Sequence, residues 1–371
     1  AMRVVARVAA LQDAPCLVDV ERAHIDACTY IGPGGLRFAE RLAALGGRVR
    51  VPTTTNSCSV DLKRWRELDV PPSLGEPATR LAEAYVRLGC EPSFTCAPYL
   101  RADAPREGAQ LGYSESNAVV YANSVLGART QKYADYMDAC VALTGRAPRA
   151  GAHVDTERRA TVAFDCAELV SLDGTDDAFW AALGYVAGAR AGPRVPALLG
   201  FERAPRIGFD DLKSFAAAFG TTASAPLFHV PGQTPCVGMG DLPEVSEALS
   251  PANLEACWRD LGDGPANETV DLIALGSPHA SSAELERLAG LVSNRKKNPN
   301  VRVVVTLSAE TLASSPAVSA LRDFGVDFVA DTCWCMLNDP VVPPSPHALL
   351  TNSAKYAHYA PGLVGRRPRL A

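Results

Sequence analysis

The sequence lacks any apolar run long enough to cross a bilayer. Its longest strand-like stretch is VRVVVTL at 301–307, far short of the roughly 20 residues a membrane helix needs. It also lacks a basic excess: 36 Lys and Arg stand against 41 Asp and Glu, a net charge of -5. Such a balance supplies no field for drawing in nucleic acid or an anionic membrane. The short clusters KRWR (63–66) and SNRKK (293–297) read as solvated surface. The opening AMRVVARVAALQD has no secretory-signal layout, which points to a cytoplasmic protein. Internal repeats and low-complexity segments are missing too. Eleven cysteines, an odd number scattered along the chain, argue against a disulfide framework and leave buried thiols or metal ligands.

What is present is apolar content. With 371 residues, 47% hydrophobic and 21% charged, the chain can bury a large core in one large or two moderate domains. Strand-like and helix-like stretches alternate. PCLVDV (15–20) and RVRVPTT (48–54) read as strands, and LRFAERLAALGG (36–47) and PATRLAEAYVRLGC (77–90) as amphipathic helices. The second half repeats the rhythm, with strands at APLFHV (225–230), DLIALG (271–276), VRVVVTL and VDFVAD (326–331). Helices at SSAELERLAGLVS (281–293) and SPAVSALRDFG (315–325) separate the later ones. This is an α/β pattern, and strands so apolar are expected to be covered on both faces. A loop-like stretch at 188–206 is the candidate internal break, with lobes of roughly 1–165 and 166–371 packed as one unit within a single 1–371 catalytic body.

In open α/β sheets ligands sit where strands turn into helices, and polar motifs stand at five such ends. They are PTTTNS (52–57), TCAPY (95–99), HVPGQTPC (229–236), GSPHASSAE (276–284) and DTCWC (331–335). Singly they are ambiguous, since PTTTNS also suits a helix-capping turn. GPGG at 32–35 lacks the spacing of a dinucleotide fingerprint and reads as a tight turn. Cys16 and Cys140 read as core residues. The stretch SESNAVVYANSVLGART (114–130) crowds Glu115, Ser116, Asn117, Asn123, Ser124, Arg129 and Thr130 into a segment otherwise apolar enough to be buried. Buried polar groups so dense need partners, either each other or a ligand.

Taken in order, VPTTTNSCSVDLKRW, TCAPYL, ESNAVVYANSVLGART, LTGRAP, GSPHASSAEL, DTC and TNSAKYAHY resemble the large-subunit part of aconitase X enzymes, from about residue 23 to residue 362. The resemblance implies an aconitase-superfamily α/β fold of packed lobes with a cleft at the strand ends. It also implies an iron-sulfur cluster and a hydro-lyase activity that dehydrates a small hydroxy acid, the substrates known in the family being cis-3-hydroxyproline and mevalonate 5-phosphate. Dehydration next to a carboxylate needs a clamp on the carboxylate, a Lewis acid on the departing hydroxyl and a base for the α-proton. Arg129 offers a bidentate fork, Asn117 and Asn123 amide donors, and Glu115 a proton carrier or ligand holder. Ser116, Ser124 and Thr130 share that motif, Thr54, Thr55 and Asn56 belong to PTTTNS, and His24 and Lys355 stand in ERAHID and TNSAKYAHY. Of these, Lys355 is the candidate point charge for a carboxylate or phosphate.

The resemblance places cluster thiolates at Cys96, at residue 277 and at Cys333, and residue 277 is a serine. A serine hydroxyl is a poor iron ligand near neutral pH. Cys236 in QTPC is a candidate replacement, Cys335 lies two residues past Cys333, and His279 is a candidate donor to a mononuclear metal ion. The resemblance fades near Gly362 without reaching the small swivelling domain of the family, so a separate small subunit is expected, carrying a serine suited to act as the base. Three readings follow. The first is the large subunit of a dehydratase acting on a cis-3-hydroxyproline-like acid. The second is a diverged enzyme of specialised biosynthesis with a rebuilt cluster or a mononuclear metal. The third is a non-catalytic subunit that has lost the cofactor.

Overall fold

The computed structural model describes residues 1–172, 176–262, 269–342 and 348–371. In chain order its strands are β1 (Leu17–Asp19), β2 (Arg22–Ile25), β3 (Thr53–Thr55), β4 (Leu111–Tyr113), β5 (Arg146–Pro148), β6 (Val162–Asp165) and β7 (Pro196–Leu199). There follow β8 (Val245–Ala248), β9 (Val270–Leu275), β10 (Arg302–Leu307), β11 (Val326–Ala330), β12 (Ala348–Thr351) and β13 (Pro368–Leu370). They form three parallel sheets in the orders β3-β2-β4, β7-β6-β8 and β11-β10-β9-β12-β13, plus the antiparallel pair β1-β5. The α/β class expected from the alternating pattern is the class observed.

The largest sheet shows why its strands read as continuous apolar runs. Along β10, Val303, Val305 and Leu307 face a core made with Leu285, Val318 and Leu321. The intervening Val304 faces a second core with Trp334, Tyr356 and Ala360. Successive side chains point to opposite faces of a strand, so a sheet covered on both sides needs apolar residues at every position. The first sheet packs Ala23 and Ile25 against the helices Pro33–Ala44 and Pro72–Arg87 through Leu36, Leu81 and Tyr85. Near the second sheet, the helices Asp177–Ala191 and Phe209–Thr222 meet so closely that a Cβ on Gly184 would stand 2.3 Å from the Phe215 carbonyl oxygen.

Three expectations shift. RVRV precedes its strand instead of forming it, because Pro52 has no N–H for the ladder and pairing begins at Thr53, aligned with Ala23. APLFHV makes only the isolated bridge Ala197↔His229, and the Phe228 N–H is taken by Ser124 Oγ at 2.9 Å. The stretch at 188–206 is no break between lobes, since it contains β7, which pairs with β6. The sheets group along the chain as residues 22–113, 162–248 and 270–370, and both partners of β6 follow residue 165. Among the described residues no helix is long and apolar enough to cross a membrane.

Candidate active site

β2, β3 and β4 run parallel, so the residues that follow them, Asp26, Asn56 and Glu115, emerge at one edge of their sheet. Cys333, which follows β11, and Lys355, in the helix Ala354–Leu363, approach from the third sheet. Together they line a cleft of about 300 Å³. Its position at converging strand ends is where parallel sheets hold ligands.

Glu115 and Lys355 form a buried ion pair across 240 residues of chain. Glu115 is also the N-cap of the helix Ser116–Ser124: its Oε2 accepts the Ala118 N–H at 2.8 Å and the Asn117 amide. Asn117 is fixed in turn, donating to the Cys96 carbonyl at 3.0 Å and accepting the Tyr99 hydroxyl at 2.6 Å. Burial alone would push the Glu115 carboxyl up, but the Lys355 charge, the helix-end N–H and Asn117 outweigh it and hold the group below its usual range. Burial would likewise neutralise Lys355, and the opposing charge of Glu115 with the nearby thiols keeps its pKa above that of a free lysine. A cation is therefore held permanently beside the cleft.

Cys96 lies behind Asn117 and accepts the His279 N–H on its Sγ at 3.2 Å. His279 also contacts the Thr332 carbonyl through Nε2 at 2.9 Å, which ties together the segments carrying Cys96, Ser277 and Cys333. Gly276 allows this turn: its φ is +92°, and a Cβ there would stand 2.1 Å from the Thr306 carbonyl oxygen. Burial pushes the Cys96 thiol up to about 12. Cys333 is pulled down to about 7, first by its hydrogen bond with Cys335, with burial opposing and the Lys355 charge assisting. The three positions at which the resemblance placed cluster ligands are thus neighbours, and the one beside His279 is a serine. Cys335 lines the same cleft as Cys333. Cys236 is not brought to this cleft; its Sγ lies 3.4 Å from Thr234 Oγ1, and its other partner is Val230. Among the described residues no group of three or more His, Cys, Asp or Glu stands ready to hold a metal ion.

The dense polar stretch divides in two. Glu115 and Ser116 face the cleft, while the residues from Asn123 onward form a structural network. Asn123 donates to the Thr130 and Pro226 carbonyls at 2.8 and 2.9 Å and accepts the Thr130 N–H at 2.9 Å. Thr130 Oγ1 accepts the Tyr113 N–H at 3.1 Å. Arg129 bridges Gln110, four residues and so about 13 Å along the strand from Ser114. Its guanidinium pairs with the largely exposed Asp155 at 2.6 Å. Because Asp155 stands largely in water the pair is screened and contributes little, so Arg129→Ala is expected to cost at most about 1 kcal/mol and to leave substrate KM within about threefold. A KM raised by orders of magnitude in steady-state kinetics would return Arg129 to the site.

Thr54 and Thr55 also look inward: Thr54 Oγ1 meets His24 Nδ1 at 2.8 Å, and Thr55 Oγ1 donates to the Glu91 carbonyl at 2.9 Å. His24 is fully buried, and burial pulls its pKa down to about 4, so the ring is neutral. Asn56 lines the cleft and donates its amide to Asp26. Three residues went unread in the sequence. Asp26, two positions past His24, lies on the cleft wall, and applying the strand-end rule to β2 finds it. Asp138 accepts the Asp26 N–H at 2.7 Å, and burial pushes its carboxyl up to about 6. Arg158, fully buried among carbonyl oxygens, left no sequence signal beyond its charge.

Comparison with known proteins gives these neighbours a context. Family models for the aconitase X first, second and third domains match residues 1–156, 160–258 and 270–371. The chain is 52% identical, over all of its length, to a cis-3-hydroxy-L-proline dehydratase of Pseudomonas aeruginosa, and covers 65% of that protein. It is 47% identical to the enzyme of the same name from Hypocrea jecorina and covers 63% of it. The chain therefore spans a little under two thirds of the length of these two relatives. A phosphomevalonate dehydratase large subunit of Methanothermobacter thermautotrophicus is 33% identical, with 98% of this chain and 90% of that one covered. Among solved structures, the holo form of Thermococcus kodakaraensis aconitase X superposes with a TM-score of 0.85 at 27% identity, over 96% of this chain and 89% of that one. Three domain models in sequence order, full-length identity and a shared fold agree: the chain belongs to the aconitase X family.

Proposed function

We propose that this chain is the large subunit of a cytoplasmic hydro-lyase that removes water from cis-3-hydroxy-L-proline or a close analogue, acting with a separate small subunit. The observation that carries this reading is the buried Lys355–Glu115 pair at converging strand ends. The substrate follows the two dehydratases of that name, which are nearer in sequence than the phosphomevalonate dehydratase large subunit. The small subunit follows the name of the latter, a large subunit. Eleven free cysteines suit a reducing compartment.

In this reading Lys355 receives the substrate carboxylate. One of its three ammonium hydrogens is committed to Glu115, leaving two for the ligand. The same fixed charge stabilises the negative charge that spreads onto the carboxylate as the α-proton leaves. Glu115 orients and charges Lys355. Its own oxygens are taken by Lys355, Asn117 and Ala118, so the proton acceptor comes from the small subunit. Asn56 and Ser116 supply cleft-wall hydrogen-bonding groups.

An iron-sulfur centre, when bound, supplies a Lewis acid for the leaving hydroxyl. Cys96, buried, and Cys333, half-buried on the cleft wall, have the right chemistry for it, two thiols close to each other and to a cation, and Cys335 is the further thiol within the cleft. As a set of three thiolates the expected site fails at Ser277, which also keeps a mononuclear metal in a diverged enzyme as the second reading. Iron and acid-labile sulfide, measured on protein purified without oxygen together with its small subunit, separate these cases. Cys333→Ser is expected to remove most of the iron and Cys236→Ser to leave it unchanged; iron lost with Cys236 would move that thiol back among the ligands. The function itself is tested by turnover of cis-3-hydroxy-L-proline against mevalonate 5-phosphate, with water loss from the first expected and the opposite preference overturning it.

A further inference from the structure

The stretch GPGG, expected to make a tight turn, opens the helix Pro33–Ala44 instead, and Gly35, the third residue of that helix, lies on the cleft wall. Gly35 has no positive φ, so its backbone does not call for glycine, and glycine within a helix is less stable than alanine. What a side chain there would meet is specific. Apart from its own helix and chain neighbours, the one described heavy atom within 4 Å of a Cβ at Gly35 is the Tyr136 hydroxyl oxygen, at 3.1 Å. That is closer than ordinary non-bonded contact.

Tyr136 carries a second, independent mark. It precedes the helix Met137–Thr144 with φ +70° and ψ -16°, a left-handed conformation that a bulky residue rarely adopts. Such backbone persists where its surroundings hold it, and it gathers at ligand sites. Here the ring stands 4.6 Å from that of Phe38, on the same helix as Gly35, and the Tyr136 carbonyl accepts the Cys140 N–H at 3.1 Å. The side chain thereby joins the cleft wall. Its hydroxyl has no hydrogen-bond partner among the described residues. Three other donors of the lining are spent within the protein: Thr29 Oγ1 on the Ser57 carbonyl at 2.8 Å, Ser114 Oγ on the Ala134 carbonyl at 3.5 Å, and an Asn56 amide hydrogen on Asp26.

We propose that the Tyr136 hydroxyl donates to the substrate carboxylate alongside Lys355, and that Gly35 is small so that the hydroxyl can stand there. The proposal rests on the reading of the cleft as a hydroxy-acid site and names a second group that holds the acid. A carboxylate has about four lone-pair sites, and the two free hydrogens of Lys355 leave room for another donor. In a cleft of about 300 Å³ one small acid reaches both walls. A hydroxyl donating to a carboxylate makes a charge-assisted bond, shorter and about twice as strong as a neutral one.

L-proline keeps the ring and carboxylate of the proposed substrate and lacks the leaving hydroxyl, so its binding is measured apart from turnover. Titration calorimetry on the chain with its small subunit is expected to show Tyr136→Phe binding L-proline at least about tenfold more weakly, the size of one charge-assisted hydrogen bond. The thermal midpoint should hardly move, since the ring keeps its packing on Phe38. Gly35→Ala should weaken binding about threefold by pushing the hydroxyl out of line, with an equal or higher thermal midpoint. In the double variant the methyl meets no hydroxyl and adds nothing to the loss from Tyr136→Phe, a coupling that a purely structural role for either residue does not produce. Tyr136→Phe binding L-proline as tightly as the wild type, a Gly35→Ala loss that persists in full in the double variant, or a wild type that binds no L-proline overturns the proposal. Turnover is read separately. Weakened binding in Tyr136→Phe, with no dehydration of cis-3-hydroxy-L-proline by the wild type, supports the role of the hydroxyl and overturns the dehydratase reading, whereas dehydration with unchanged binding does the reverse.

Discussion

Lys355→Met is expected to lower turnover by at least about 100-fold and to destabilise the fold by about 3–5 kcal/mol. The stability loss follows from what stays behind. Methionine fills much the same space but leaves Glu115, 6% exposed, without its cation. Removing one member of a buried pair costs about 3–5 kcal/mol because the other charge remains uncompensated. On the proposed role of Lys355, the loss of rate follows from removing the fixed charge that would meet the carboxylate in the transition state, where one preorganised electrostatic contact contributes about 100-fold to 1000-fold. Stability and function come apart in the double variant. Lys355→Met with Glu115→Gln takes away both charges and retains an oxygen that can cap Ala118, so most of the stability should return while turnover stays low. The stability difference also has a defined pH window. Glu115 sits below its ordinary 4.5, so its contribution is complete above that value and fades as pH falls through the folded pKa. Lys355 sits above its ordinary 10.5, so its contribution is complete below that value and fades as pH rises through the folded pKa. The gap between wild type and Lys355→Met in chemical denaturation should therefore be flat from roughly pH 5 to 10. Turnover within about threefold of wild type would exclude Lys355 from the carboxylate site.

Much of this site was legible because strand ends announce themselves. β9, β10 and β11 each end in a polar turn, and two of those turns, GSPHASSAE and DTCWC, converge as expected through His279 and Cys333. PTTTNS delivers Asn56 to the cleft and TCAPY delivers Cys96 behind it. HVPGQTPC does not join them, because APLFHV never becomes a paired strand and its turn closes on Thr234 and Val230 instead. Composition could not separate Glu115 from Arg129, since both are charged residues in one apolar motif. The structure separates them by register: Glu115 follows the C-terminal end of β4, and Arg129 bridges Gln110 before its start. Cys335 was unreadable for a related reason. In WCM it looks like core, and a short turn over Trp334–Met336 brings it round to the cleft. Asp26 shows the opposite failure, a legible position passed over in favour of the histidine two residues before it.

The buried arginine of this fold is Arg158, and Arg158→Met is expected to destabilise the protein by at least about 4 kcal/mol. Its guanidinium is fully buried and serves five acceptors. Nε reaches the Val237 carbonyl at 2.9 Å, Nη1 the Ala128 and Ala152 carbonyls at 3.1 Å and Asn123 Oδ1 at 3.3 Å, and Nη2 the Asn123 carbonyl at 2.9 Å. Among the described residues no carboxylate bonds to it directly. Burial, and then the charge of Arg129, pull its pKa down to about 10, yet it stays protonated at neutral pH. These acceptors lie at residues 123–128, 152 and 237, so one side chain ties the segment after the site helix to the loop that precedes β8. A methionine leaves them without a donor, and each buried acceptor so orphaned costs about 1–3 kcal/mol, reduced where neighbours relax. Arg158→Lys should recover only part of the loss, since one ammonium has three hydrogens and cannot span the fork of a guanidinium. Arg129→Ala, some 30 residues earlier in the chain, with one ion pair to exposed Asp155 and a long hydrogen bond to the His153 carbonyl, serves as the matched control. Urea midpoints for the three variants decide the matter. A loss for Arg158→Met no larger than that for Arg129→Ala would mean that water, and not the arginine, satisfies those carbonyls.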